Sequence, residues 1–276
     1  MIFYFSGTGN TRWAAQQVAK ALNEQLLYVP DLIDDIIPYT LNESEPLGFI
    51  FPVHGWRPPQ LIRRFIDNLV ITNVTEQTYV FALATAGDSI GRTMEILATD
   101  LQIKAWHLDA AFSLIMPESY VGLPFMDVDS QEKEQQKKQQ AEADLDRYIP
   151  LILKKEKTYN SKLKQTGTTP INLHRGPIPG FFSGPVGSFF VSRLVSDKRF
   201  HVKEEQCISC GKCEQVCPVH DIQMEEGYDG KRHPAWLHNG RCLTCFTCYH
   251  HCPTHAIEFG KQTQKKGQYY YKTIKQ

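Results

Sequence analysis

The sequence predicts two units in tandem: an α/β layer built on a doubly wound parallel sheet, then a small cysteine-rich α+β domain. Three observations predict this. Apolar runs of strand length alternate with helical stretches through residues 1–157. All eight cysteines of the 276-residue chain fall between positions 207 and 252. Glycine, proline and phenylalanine crowd the stretch between these regions. The expected segments are therefore 1–157, a packed connector at 158–200, the cysteine domain at 201–260 and a basic tail at 261–276.

Residues 2–5, Ile-Phe-Tyr-Phe, read as a buried strand of a parallel sheet. Ser6, Gly7, Thr8, Gly9, Asn10 and Thr11 follow at once, and residues 12–25 read as a helix. Strand, glycine- and hydroxyl-rich loop, helix is the setting for an anion at a helix N-terminus. A dinucleotide fingerprint starting at Gly7 would need glycine where Arg12 stands, and the Gly-Lys-Ser/Thr of a P-loop is absent. Neutral donors without a lysine suit a phosphate monoester; the alternative is a plain strand–helix turn. Further strands are expected at 26–29, 47–53, 78–84 and within 105–116, with helices at 59–69, 89–101 and 131–157. In such a sheet a ligand binds beyond the carboxyl ends of the strands.

The connector carries Thr168-Thr169-Pro170, Gly176-Pro177-Ile178-Pro179-Gly180 and the paired phenylalanines 181–182 and 189–190. Glycine and proline mark loops, and the phenylalanines call for cover. The expectation is packing across the domain boundary; the alternative is a membrane-surface or partner site.

The cysteines form two copies of one run, C-x2-C-x2-C-x3-C-P: Cys207, Cys210, Cys213, Cys217 before Pro218, and Cys242, Cys245, Cys248, Cys252 before Pro253. This is the ligand run of bacterial two-cluster iron–sulfur proteins, in which the fourth cysteine serves the other cluster. Cys207, Cys210, Cys213 and Cys252 are thus expected on one [4Fe–4S] centre, and Cys242, Cys245, Cys248 and Cys217 on the second. The copies are offset by 35 residues (242 minus 207) and also match at His220/His255 and Ile222/Ile257, the isoleucines being expected in the core. Zinc sites usually space their ligand pairs more widely. A disulfide framework suits a short secreted chain rather than this one.

Net charge is zero, but residues 1–157 carry 14 basic and 21 acidic side chains (−7) and residues 158–276 carry 16 and 9 (+7). Basic groups near anionic clusters offset their charge, so a nucleic-acid surface is not expected. Neither a secretory signal nor a membrane-length apolar run is read in the chain, and a cytoplasmic location is expected. The tail, with five lysines and no acids, suits docking of an acidic electron partner or pairing as an edge strand.

On the loops just described, residues 1–155 resemble a flavodoxin. Ser6–Thr11 is similar to its phosphate loop. Pro52, Val53, His54, Gly55 and Trp56 are similar to the first loop flanking the flavin ring. Thr85, Ala86, Gly87 and Asp88, before Ser89, are similar to the second. The whole chain resembles the flavodoxin–ferredoxin fusion family, the EFR-type ferredoxins of anaerobic prokaryotes. The resemblance implies a sheet order of 2-1-3-4-5 and FMN beside the two clusters. It also implies single-electron exchange with ferredoxin-type redox partners. Trp56 is the expected stacking residue, with His54 second. Asp88 is either an acid near the flavin or the N-cap of the next helix. Ile90-Gly91-Arg92 follow where flavodoxins commonly carry an aromatic, so the second flavin face, or the dimethylbenzene edge, is expected to be covered by the cysteine domain or a partner chain. No nucleophile–base pair is evident, and no catalytic residue is expected. The alternative function is an FMN-dependent reductase of a quinone or nitro compound, fed by the clusters.

Overall fold

The fold is that of a computed structural model, which describes residues 1–34, 37–159 and 173–271. Five parallel strands form one sheet in the order β2-β1-β3-β4-β5: β1 Ile2–Tyr4, β2 Leu26–Tyr28, β3 Leu47–Pro52, β4 Val80–Ala86 and β5 Ala110–Ile115. This is the expected flavodoxin-like, doubly wound order. The strands are apolar on both faces because helices cover both. Phe3, Phe5, Phe49, Phe51, Ala82 and Ala84 point to the side packed by α2 (Gln60–Asn68) and α3 (Thr93–Ile103). Ile2, Ile50, Phe81, Leu83, Phe112 and Leu114 point to α1 (Asn10–Leu22) and α4 (Gln131–Leu153). The period-two alternation of side chains along a strand sorts them.

Three helices depart from expectation, the fourth by ending at Leu153 rather than 157. The first ends at Leu22, where Asn23 turns left-handed (φ 53). The third begins at Thr93, with Arg92 at its N-cap position. Asp88 therefore does not cap it; its carboxylate accepts from the Ser89 N–H instead.

The cysteine domain has two antiparallel strand pairs, β6 (Phe200–Val202) with β9 (Ile257–Phe259) and β7 (Ile222–Glu226) with β8 (Arg232–Trp236). Two short helices, α5 (Lys212–Val216) and α6 (Thr247–His251), lie 35 residues apart, as the repeat requires. The backbone repeats too. Left-handed residues recur at Ser209/Thr244, Gly211/Phe246 and His220/His255. Ile222 and Ile257 are both buried. The apolar core beneath α2 and α3 continues into this domain through Leu243, Phe246 and Phe259.

Between the units, residues 179–194 form a chain of α and π turns. The Thr168-Thr169-Pro170 run and residues 272–276 lie outside the described residues. The tail up to Tyr271 forms no strand; it lies on the first domain. Tyr271 N–H donates to Thr8 O (2.7 Å), and its ring stacks on Trp13 of α1. Lys266 Nζ donates to the carbonyls of Val121 (2.9 Å) and Met126 (2.6 Å). Among the described residues no helix is long and apolar enough to cross a membrane.

Candidate cofactor site

A cavity of about 640 Å³ opens at the carboxyl ends of β1, β3, β4 and β5. Its position follows from topology, since β1 and β3 leave the sheet in opposite directions and their loops part there. Ser6, Gly7, Thr8, Asn10 and Thr11 line it, with Pro52, Val53, His54, Gly55, Trp56, Thr85, Ala86, Gly87 and Asp88. Of the expected flavin-loop residues only Gly9 is missing. It faces the tail, where a Cβ would stand 2.9 Å from Tyr271 Cβ.

The loop after β1 is built to present donors. Gly9 is left-handed (φ 95) and sends its N–H to Ser6 Oγ (3.1 Å), which curls the loop. The N–H groups of Gly7, Thr8 and Asn10 have no acceptor among the described residues. Thr11 and Thr85 join their hydroxyls at 2.7 Å, tying the first loop to the second. Asn10 donates to Pro117 O (2.9 Å) and accepts from Tyr269 Oη (2.5 Å). This cradle of free N–H groups at a helix N-terminus fits a phosphate group.

Trp56 takes a left-handed backbone (φ 59), donates its indole N–H to Ser89 Oγ (3.1 Å) and packs against Phe182 at 4.8 Å between ring centroids. His54 meets Phe5 edge-on at 6.1 Å. Burial lowers its imidazole to about 4, so it is neutral at pH 7. The site also recruits a loop that sequence reasoning missed, Met116–Tyr120 after β5. There Glu118 accepts the N–H groups of Ser119 (2.9 Å) and Tyr120 (2.8 Å), and burial raises its carboxyl above the usual range. The available signal was position: a polar loop at the end of a strand adjoining β4.

The remaining wall comes from elsewhere in the chain. Phe182, Val186, Phe189, Phe190 and Leu194 of the connector line the cavity, as do Leu243, Thr244 and Cys245. Ser183 pins the connector, donating to Trp56 O (2.9 Å) and accepting from Arg92 N–H (2.7 Å). Arg57 donates to Ser183 O (2.5 Å) and Ser188 Oγ (2.6 Å). The cysteine domain packs against the first loop at Gly7. A Cβ there would stand 2.8 Å from Thr247 Oγ1 and 3.7 Å from Cys245 Cβ.

The eight cysteines are free thiols and fall into two spatial sets. Cys207, Cys210, Cys213 and Cys252 line one small cavity. Cys217, the last of the first run, lies within electrostatic reach of Cys245 and Cys248, and Cys248 also feels Cys242. The exchange follows from the turn after each Cys-Pro. Asp221 N–H bonds Cys217 Sγ (3.3 Å) and Ala256 N–H bonds Cys252 Sγ (3.2 Å). Burial pushes the Cys213 thiol up to about 12 and the Cys217 thiol up to about 11. Bare, they stay protonated; a coordinating metal centre is what makes such thiols give up their protons. Eight sulfur donors in two C-x2-C-x2-C-x3-C runs are the donor chemistry that iron–sulfur ligation uses.

Residues 206–257 match the family of 4Fe–4S dicluster domains. The solved structures similar to this chain include a protein from Bacteroides uniformis described as a flavoprotein. It is 20% identical, covers 41% of this chain and 88% of its own, and has a TM-score of 0.31. Another is the Trp repressor binding protein from Bacillus subtilis. It is 13% identical, covers 41% and 83% respectively, and has a TM-score of 0.31. No curated protein matches the chain in sequence. The dicluster match supports a redox, electron-transferring role for the C-terminal domain.

Proposed function

We propose that the chain is an electron-transfer protein carrying FMN and two [4Fe–4S] clusters. It would pass single electrons between them and ferredoxin-type redox partners. The observation that carries this reading is the shared wall: Cys245 lines the same cavity as the loops after β1, β3 and β4.

In this reading Ser6, Gly7, Thr8, Asn10 and Thr11 hold the phosphate, with Gly9 shaping the turn. Residues 52–56 and 85–88 would flank the flavin ring. Cys207, Cys210, Cys213 and Cys252 would hold an outer cluster, and Cys217, Cys242, Cys245 and Cys248 an inner one. Bound flavin supplies one- and two-electron chemistry, and each cluster supplies one-electron chemistry. Tyr120, Phe190 and Leu243 line the same cavity as Cys245 and would keep water from the gap between it and the flavin loops. Neutral His54 adds no positive charge to stabilise a reduced ring. Cys210 is exposed while Cys248 is buried, which gives the outer set the contact with partners.

A second reading, reduction of a quinone or nitro compound at the flavin, draws support from the apolar wall of Phe125, Phe182 and Phe189. Anaerobic purification with iron, sulfide, zinc and flavin assays tests both. About eight irons and one FMN per chain are expected for two cubane clusters. Zinc in place of iron, with cluster loss excluded, would overturn the proposal. Turnover of a quinone with reduced ferredoxin would favour the second reading.

A further inference from the structure

The loop after β1 and the second cysteine run touch. A Cβ on Gly7 would press on Thr247 Oγ1 at 2.8 Å and lie in ordinary contact, 3.7 Å, with Cys245 Cβ. Thr247 Oγ1 in turn lies 3.1 Å from Cys245 Sγ. The contact is clamped by bonds on either side of it. Tyr271 N–H donates to Thr8 O (2.7 Å), Tyr269 Oη to Asn10 (2.5 Å), and His250 Nε2 meets Ser119 O at 2.7 Å. Arg12, the cation of this loop, is exposed and lies 6.0 Å from the centroid of Tyr28. The loop itself brings only neutral donors against the cysteine run.

This has an electrostatic consequence, which rests on the cofactor reading above. A phosphate dianion in the loop and an anionic cluster on Cys245 would face each other across one layer of atoms; the sheltered ammonium of Lys138 lies behind the Tyr269 and Tyr271 rings, 5.6 and 4.6 Å from their centroids, and is already paired with Glu134. We propose that the loop is a redox-linked anion site. Adding an electron to the inner cluster weakens its hold on a phosphate group, and a bound phosphate group makes that cluster harder to reduce. The two effects are one coupling free energy and must be equal. Like charges this close, in a site between water and dry protein, repel enough for a change of roughly tenfold in affinity. For a one-electron couple, a tenfold change corresponds to about 59 mV. The outer set, Cys207, Cys210, Cys213 and Cys252, lines a separate cavity and does not border the loop, so it is expected not to respond.

The test is a redox titration of the full chain with both clusters assembled, followed by electron paramagnetic resonance at constant ionic strength. Four states are compared: flavin-free, with inorganic phosphate, with riboflavin, and with FMN. Phosphate and FMN should each lower one cluster potential by about 59 mV, and riboflavin, which lacks the phosphate, should not. Phosphate affinity should fall roughly tenfold in dithionite-reduced protein. Equal shifts of both clusters, no shift, or the same shift with riboflavin would overturn the proposal. Iron and flavin content are measured first. A chain without eight irons, or one that binds no FMN, sinks the cofactor reading itself, whereas a loaded chain with unmoved potentials sinks only the linkage.

Discussion

At the scale of single residues, Gly7 shows what a sequence conveys and what it withholds. That the Ser6–Thr11 loop follows a buried strand and opens a helix is legible, because all of it is local. The second demand on Gly7, clearance for Thr247, comes from 240 positions away and leaves no local trace. Gly7→Ala is expected to destabilise the fold by about 1–3 kcal/mol through overpacking. Thr247→Ala should relieve part of that cost, which denaturant unfolding of the double-mutant cycle would read as coupling. If the two substitutions simply add, the contact is not what constrains Gly7. His54 supplies a pH prediction. Burial holds its folded pKa at about 4, below the unfolded 6.5, so the fold favours the neutral ring. Its contribution is complete above pH 6.5 and is lost as pH falls toward 4. The flavin-free protein should lose on the order of 1–3 kcal/mol over that window through this group. Asp221, raised to about 6, titrates with the opposite sign, so the quantity to measure is wild type minus His54→Gln. A pH-independent difference would show that the ring is not buried as described.

At the scale of elements, the five strands and four long helices were legible because each carries its own period and length. The misplaced start of the third helix has a physical cause. Residues 88–92 look like a helix opening, but Ile90 N–H is taken by His174 O and Gly91 is left-handed, which delays the helix to Thr93. Partners arriving from residue 174 cannot be read locally. The connector is the same case in larger form: its phenylalanines call for cover, but Phe181 and Phe189 stay exposed, while Phe182 and Phe190 are half-buried against Trp56 and Tyr120. Ser183 decides its placement by satisfying Trp56 O and Arg92 N–H at once. Ser183→Ala leaves both backbone groups unpaired and should cost about 1–3 kcal/mol. The loss should appear first as faster proteolysis within 176–194, before the sheet unfolds. Cleavage only upon global unfolding would mean the connector is held by something else.

At the scale of the whole molecule, the tail has become a structural brace. A chain ending at Gly267 removes the bonds to Thr8 and Asn10. It is expected to retain its iron while binding FMN at least tenfold more weakly, the loss of two hydrogen bonds at about 1 kcal/mol each. Undiminished flavin affinity in the truncated chain would refute the brace. The repeat, for its part, was legible down to the side on which Cys252 falls, beside Cys207, Cys210 and Cys213, because both copies obey one spacing rule. What spacing could not show is which copy faces the flavin loops. The structure marks it at one pair of equivalent positions. Both are left-handed: the first copy has Gly211, with open space beside it, and the second has Phe246, buried and packed 5.3 Å from Tyr120 of the first domain. A duplicated module with two interchangeable faces can carry charge equally well in either orientation. Once one face is plugged by an aromatic ring in a conformation that suits glycine, the copies cease to be interchangeable. In the proposed reading the duplication would act as a wire with a soldered end and a free end, and traffic from outside would have the free end as its terminal.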